Sequence, residues 1–343
     1  MKRRDFLRSS TALAAISMVP LNSVFLNAAQ SGKQNKPNSN FGGVQVGTIT
    51  YSWRSLPSGA TAIIQYCIQS GISSIELMSN DVEEFAGAPK NPVSFGPPPG
   101  AKAGGPPPGM KPGAMPPRPK LTPEQETALA KYKEDIRAWR IAAPMAKFEE
   151  LRKLFDEAGV TVHIVKFSPA DWSDEEIDYS FKVAKILGAK GVSNEIGDAA
   201  CKRLAPFAEK HQMYAIFHQH MQPAEPGWTF DKFLAYSPNI MLNFDAGHYF
   251  GSTGLHPNGI IERLHDRIIS IHIKDKTGPK STPPNTNQVW GKGEMPIAEV
   301  LKLIQKNKWP IFCDIELEYE VPEGSDAVKE VAKCLEFTKK ILV

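Results

Sequence analysis

From Gly42 onward, short β-branched and apolar runs alternate with segments whose apolar positions recur every three to four residues. The runs predict strands over residues 44–50, 74–78, 161–167, 191–195, 214–220, 241–245, 268–274 and 311–316. The periodic segments predict helices over 60–71, 174–187, 198–211, 230–236 and 297–306, among others. Thr122-Pro123-Glu124-Gln125 supplies an N-cap, a proline at the first helical position and a capping-box Gln, and Ser173 to Glu176 repeats that logic. The helix after Thr122 is expected to break near Pro144 and to stop at Gly159. Eight strands alternating with helices predict parallel β/α units, and eight is the number that closes a barrel. A doubly wound open sheet is the rival, but no GxGxxG follows the first strand. The expected fold class is therefore α/β, a (β/α)8 TIM barrel with a Pro/Gly-rich insertion after its second strand.

Two stretches break the pattern. Residues 92–119 hold 11 prolines and 6 glycines in 28 positions, a composition that builds neither helix nor core. At the start, Arg3-Arg4-Asp5-Phe6-Leu7-Arg8 precedes a short apolar run from Thr11 to Leu21. A charged segment followed by so short an apolar one predicts an export signal rather than a membrane span. The paired arginines resemble a twin-arginine (Tat) signal, so a periplasmic location is expected. The domain reading is a signal over 1–29, a polar tether over 30–41 and one barrel over 42–343.

Composition narrows the partners. The chain of 343 residues has 40 Lys+Arg against 37 Asp+Glu, interspersed, which leaves no basic field for nucleic acid. Cys67, Cys201, Cys313 and Cys334 form no CxxC pair, so neither a disulfide nor a zinc-thiolate site is expected. No stable membrane insertion is expected once a signal is removed, and the sequence sets no oligomeric state.

The chemistry gathers at the predicted strand ends, which form the active rim of a β/α barrel. In chain order these ends carry Glu76, Lys166, Glu195, His218-Gln219-His220, Asp245 with His248, His272 with Lys274, and Asp314-Ile315-Glu316. Four of the eight histidines fall there. Imidazole and carboxylate on one rim form a mixed N/O site for a divalent ion, and Mn, Co, Fe or Zn suits it better than Ca. Residues two apart on a strand share a face, so His218 and His220 can both turn inward, as can Asp314, Glu316 and Glu318. His163, alternating within a strand, is expected to be a satisfied core histidine. Trp53, Trp172 and Trp290 fall in predicted rim loops and could equally stack on a sugar or pack.

Asp245-x-x-His248, His272-x-x-Asp275, Gly291-Lys292-Gly293-Glu294 before a helix, and Asp314-Ile315-Glu316 together resemble the xylose-isomerase-like (AP-endonuclease-2 superfamily) TIM barrels. That family includes sugar epimerases, hydroxypyruvate isomerase, inosose dehydratase and endonuclease IV. The resemblance implies one divalent ion (Mn, Co, Fe, Zn or Mg) held by Glu, Asp, His and Glu from four consecutive strands. Asp245, His272 and Glu316 match the last three. The fifth strand offers His218 where the family has Glu, so either His218 is the first ligand or Glu195 moves in; we take His218. The remaining assignments are Glu195, His220, His248, Lys274 and Glu316 as catalytic groups, and Glu76, Lys166, Trp53 and Trp290 as substrate contacts. Loss of one Glu ligand counts against a symmetric two-base epimerase. The endonuclease branch needs histidines on the second and third strands, where this chain has Glu76 and Lys166, so DNA repair is excluded. The strand ends lack a Gly-rich phosphate cradle or an Arg clamp, which points to an unphosphorylated sugar, keto-sugar or glycoside. The expected activity is a metal-dependent isomerase or epimerase working by proton abstraction next to a carbonyl. The alternatives are a lyase that cleaves 3-keto-glycosides by β-elimination and a non-catalytic sugar-binding barrel.

Overall fold

The apolar runs become eight parallel strands: β1 (Val44–Ile49), β2 (Ser74–Met78), β3 (Thr161–Lys166), β4 (Gly191–Glu195), β5 (Tyr214–His218), β6 (Ile240–Asp245), β7 (Ile268–Ile273) and β8 (Phe312–Ile315). Each pairs with the next, and β1 pairs with both β8 and β2, which closes the ring. This computed structural model describes residues 36–93 and 120–343. The proposed signal and all but the first two residues of the Pro/Gly-rich insertion lie outside the described residues.

Helices fill the connections: α1 (Ala60–Ser70), α2 (Ser79–Phe85), α3 (Pro123–Ile141), α4 (Met145–Ala158), α5 (Asp174–Ile186), α6 (Asp198–His211), α7 (Phe230–Leu234), α8 (Ala246–Thr253), α9 (Asn258–Leu264), α10 (Ile297–Asn307) and α11 (Ala327–Leu342). The start signals act as the sequence predicts. Thr122 and Ser173 both close full capping boxes, and the break at Pro144 separates α3 from α4. Gly159 ends α4 at φ 75°, a left-handed conformation that favours glycine. In α10, Ile297, Val300, Leu301 and Ile304 form one buried stripe, the spacing that lays a helix against a sheet. Arg140, near the end of α3, is held at 2.7 Å by Glu83 and 3.1 Å by Glu176, with the Trp172 ring 3.5 Å beneath its guanidinium. That pairing ties the helix after the insertion to the helices after β2 and β3.

Two sequence boundaries need correction. The tether ends earlier than residue 41, because Asn40–Phe41 pairs antiparallel with β1. β5 stops at His218, so Gln219 and His220 belong to the following turn. All four cysteines are buried free thiols. No helix among the described residues is long and apolar enough to cross a membrane.

Candidate metal centre

Four consecutive strands deliver His218, Asp245, His272 and Glu316 to one point. One ligand atom from each lies within 4.8 Å of all the others, and all four residues are buried. β6 places Asp245 directly beside His272 of β7 in register, and the turn into α8 locks it, since its Oδ1 accepts the His248 amide at 2.7 Å. His218 Nε2 lies 3.2 Å from Asp245 Oδ2, and His272 Nδ1 lies 2.8 Å from Glu316 Oε2.

Each imidazole turns its other nitrogen to a backing carboxylate. His218 Nδ1 meets Glu195 Oε2 at 3.1 Å, and His272 Nε2 meets Glu76 Oε2 at 2.7 Å. A carboxylate behind the ring fixes tautomer and orientation, the support that metal-bound histidines generally have. Mixed nitrogen and oxygen donors, buried, with backed imidazoles, fit a divalent transition ion.

The charges are strongly coupled. Burial alone would push the His272 imidazole down, but Glu316 and Glu76 on its two nitrogens hold it well above its usual range. For Glu76, burial works upward and His272 works downward more strongly, leaving the carboxyl at about 2. Asp245 stays well below the usual carboxylate range despite burial, through the Lys274 ammonium and the hydrogen bond with His218. Lys274 is fully buried and its ammonium sits between three carboxylates: Asp245 at 2.8 Å, Glu316 at 2.7 Å and Glu318 at 2.9 Å. It contacts the same Asp245 and Glu316 oxygens that would hold an ion.

Around this centre the rim opens. Lys166 pairs with Glu195 at 2.6 Å, and His220 Nε2 reaches Glu195 at 3.1 Å. The His220 side chain is 50% exposed and that of Glu195 44%, so this pair borders solvent. The His248 ring lies 5.0 Å from that of His220, centroid to centroid. Desolvation keeps the His248 imidazole well below its usual range, hence neutral.

Several predicted contacts are placed differently. His220 lies just past the strand and half-exposed at the rim, with its ring still 4.7 Å from that of His218 and both reaching Glu195 Oε2. Glu76 is fully buried behind His272, bonded also by Asn243 Nδ2 at 2.7 Å, and does not reach the open rim. Trp53 and Trp290 are 2% and 7% exposed, packed against Tyr66 and Phe337. Asp314 turns into a deeper layer, toward His163, and Glu318 joins Lys274. Sequence reasoning missed Asn243 and Lys276. A signal for the latter exists: Gly247 and Gly251, one turn apart on α8, face Lys274 and Lys276, two apart on the chain after β7.

The geometry can be set beside known proteins. The xylose isomerase-like TIM barrel family matches residues 198–341. Among solved structures, the chain is similar to the probable 3-DHS dehydratase AsbF of Bacillus anthracis, at 13% identity and a TM-score of 0.53, covering 85% of this chain and 98% of that one. It is also similar to the IOLI protein with a binding zinc atom, at 14% identity, TM-score 0.52 and coverage of 88% and 99%. A third is D-psicose 3-epimerase in the presence of D-fructose, at 11% identity, TM-score 0.52 and coverage of 87% and 99%. At these identities the likeness establishes the fold. No curated protein matches the chain in sequence.

Proposed function

On the premise of a barrel whose residues 198–341 match the xylose isomerase-like family, we propose a divalent-metal-dependent isomerase or epimerase of an unphosphorylated sugar or keto-sugar. The observation that carries this reading is the set of four donor atoms, from four consecutive strands, gathered within 4.8 Å. A bound ion would supply Lewis acidity, polarising a carbonyl and acidifying the C–H beside it. The chain's own groups do the rest. His220, oriented by Glu195, exchanges the proton at the substrate carbon. Neutral His248, beside His220 and with Nε2 turned toward Asp245 and Glu318, is the second proton carrier. Lys274 keeps Asp245 and Glu316 ionised and places positive charge beside the oxygen where negative charge develops.

Charge balance supports an uncharged substrate. Glu76, Glu195, Asp245, Glu316 and Glu318 exceed Lys166, Lys274 and Lys276 by two, the surplus that one divalent ion would offset once it took His218 and His272 as neutral ligands in place of their protons. One observation favours a second reading, a lyase acting on 3-keto-glycosides by β-elimination. A histidine stands at the fifth-strand ligand place, so the rim bases are histidines distinct from the ligands and not a symmetric carboxylate pair. An epimerase and a probable dehydratase among the similar structures correspond to these two readings. Export to the periplasm, proposed from the twin arginines, agrees with an unphosphorylated substrate.

The test has two stages. Metal content of the purified chain should be near one divalent ion, lost in His272→Ala. In D2O, keto-sugars should then take up deuterium without release of an aglycone, whereas aglycone release from 3-keto-glucosides selects the lyase. Absence of metal together with absence of exchange leaves a non-catalytic barrel.

A further inference from the structure

Lys276 is 4% exposed, and among the described residues no ion pair or hydrogen bond reaches its side chain. It lies on the two-residue strand Asp275–Lys276, which pairs antiparallel with Asn287–Gln288 beyond the end of β7. That hairpin is firmly held. Asp275 accepts the amides of Gly291 at 2.8 Å, Gly293 at 2.9 Å and Met295 at 3.3 Å, which explains the Gly291-Lys292-Gly293 spacing. The lysine is therefore delivered to its place by a braced element.

Its surroundings are cut to admit it. A Cβ on Gly251 would lie 2.9 Å from Lys276 Cε and 2.3 Å from Asn285 Oδ1, so both groups lean on the bare face of α8. His248, three residues before Gly251, shares that helix face. Two buried acceptors there lack partners, His248 Nδ1 and Asn285 Oδ1. The Asn285 amide nitrogen donates to Met221 Sδ at 3.1 Å, which leaves its oxygen against Gly251 on the bare face of α8, and its backbone sits at φ 48°. His248 Nε2 faces Asp245 and Glu318 at 3.7 and 3.9 Å, so the ring proton belongs there and Nδ1 offers a lone pair.

An ammonium without an acceptor and two acceptors without donors lie along one face of α8. A carboxylate would satisfy the ammonium but would face both lone pairs. Hydroxyls satisfy all three groups, each accepting from Lys276 and donating to His248 or Asn285. We propose that Lys276, Asn285 and His248 form a subsite for two neighbouring hydroxyls of a sugar whose reacting end lies at the metal centre. This rests on the reading of the site as a sugar enzyme, and it adds which part of the sugar is recognised. Burial and the adjacent Lys274 lower Lys276 to about 8, so its charge is weakly held and suits a neutral partner.

The test uses the metal-loaded full chain with D-sorbitol and D-gluconate as probes, by calorimetry. Sorbitol should bind at least as tightly as gluconate. Lys276→Met should weaken sorbitol binding roughly tenfold or more with metal content unchanged. Gly251→Ala, which alters no polar group, should weaken it similarly by displacing Lys276 and Asn285. Sorbitol binding that is absent from the parent chain, or unchanged in both variants, overturns the subsite, as does gluconate binding more than roughly tenfold tighter than sorbitol. Loss of metal and of deuterium exchange marks failure of the sugar-enzyme reading instead. Retained metal and exchange with insensitive sorbitol binding marks failure of the subsite alone.

Discussion

Two clusters of histidine and carboxylate occupy successive layers of the same barrel. On β2, β7 and β8 the upper layer takes Glu76, His272 and Glu316, and the lower takes the residue two positions earlier, Ser74, Ser270 and Asp314. In the lower layer His163 Nδ1 meets Ser74 Oγ at 2.9 Å and Nε2 meets Asp314 at 2.8 Å, with Ser270 also bonded to Asp314. Phe312 stacks on the His163 ring at 4.2 Å. Asp314 Oδ1 lies against the bare Cα of Gly47, where a Cβ would approach within 2.1 Å. Both imidazole nitrogens are therefore paired and, among the described residues, no lysine pairs with Asp314, whose remaining oxygen is buried without a partner and which lies within 4.8 Å of Glu76 and His272 above it. The upper layer has the same residue types with two differences. It gathers several carboxylates around Lys274 where the lower layer holds Asp314 alone, and its edge at Glu195 and His220 is open. A surplus of charge together with access, rather than the presence of His and Asp, separates the proposed reactive centre from the layer beneath it.

The largest effect should come from His272→Ala. It removes a donor and strips Glu76 and Glu316 of a shared partner, leaving buried carboxylates uncompensated. Metal affinity should fall by more than about 100-fold, and the metal-free chain should lose about 3–5 kcal/mol. Metal analysis and denaturant unfolding read the two separately. Retention of metal by this variant would move the centre elsewhere.

Asp314→Asn tests the other half of the comparison. It should cost about 1–3 kcal/mol by disrupting the bonds to His163 and Ser270. Metal stoichiometry and deuterium exchange should persist. Loss of metal from this variant at unchanged stability would show that the lower layer is part of the centre, and the distinction would collapse.

Lys274→Met sharpens the account of the upper layer. The ammonium contacts Asp245 and Glu316 at the atoms an ion needs, so it acts as an internal competitor with Glu318 as its retreat. Its removal should tighten metal binding about tenfold, or about 1.4 kcal/mol, while lowering the melting temperature of the metal-free chain. Weaker metal binding in this variant would mean that Lys274 supports the ion instead of competing with it.

How much of this was legible follows from what each signal depends on. Strand positions came from β-branched runs, and helix starts from caps such as Thr122 and Ser173, because both are local. The convergence of His218, Asp245, His272 and Glu316 was legible because strand ends of a barrel meet by topology. What failed needed distances across the barrel. Glu76 at a strand end looks open until the closed ring brings it behind His272. The tryptophans stayed open between stacking on a sugar and packing because a loop position does not show which way a ring turns. α8 was missed because Ala246-Gly247-His248-Tyr249-Phe250-Gly251 has poor helix propensity. Its two glycines serve the lysines opposite, a tertiary requirement that overrides local preference.

The smallest effect concerns Lys276, and it separates the layers by pH. Burial and Lys274 lower this amine from its usual range to about 8 in the folded chain. Unfolded, it titrates near 10.4. Between those values the unfolded chain binds more protons, so stability rises with pH across that window and the contribution is unfavourable below it. From pH 7 to 9 this group should add on the order of 1 kcal/mol to the stability of the folded chain. Lys276→Met should flatten that rise and stabilise the chain at pH 7. Asp314→Asn, in the lower layer, should leave the alkaline slope as it is. Denaturant midpoints at pH 7, 8 and 9 for the three proteins decide it. A slope unchanged in Lys276→Met would mean that the amine has a partner in the folded chain, and the open character assigned to the upper layer would then rest on Glu195 and His220 alone.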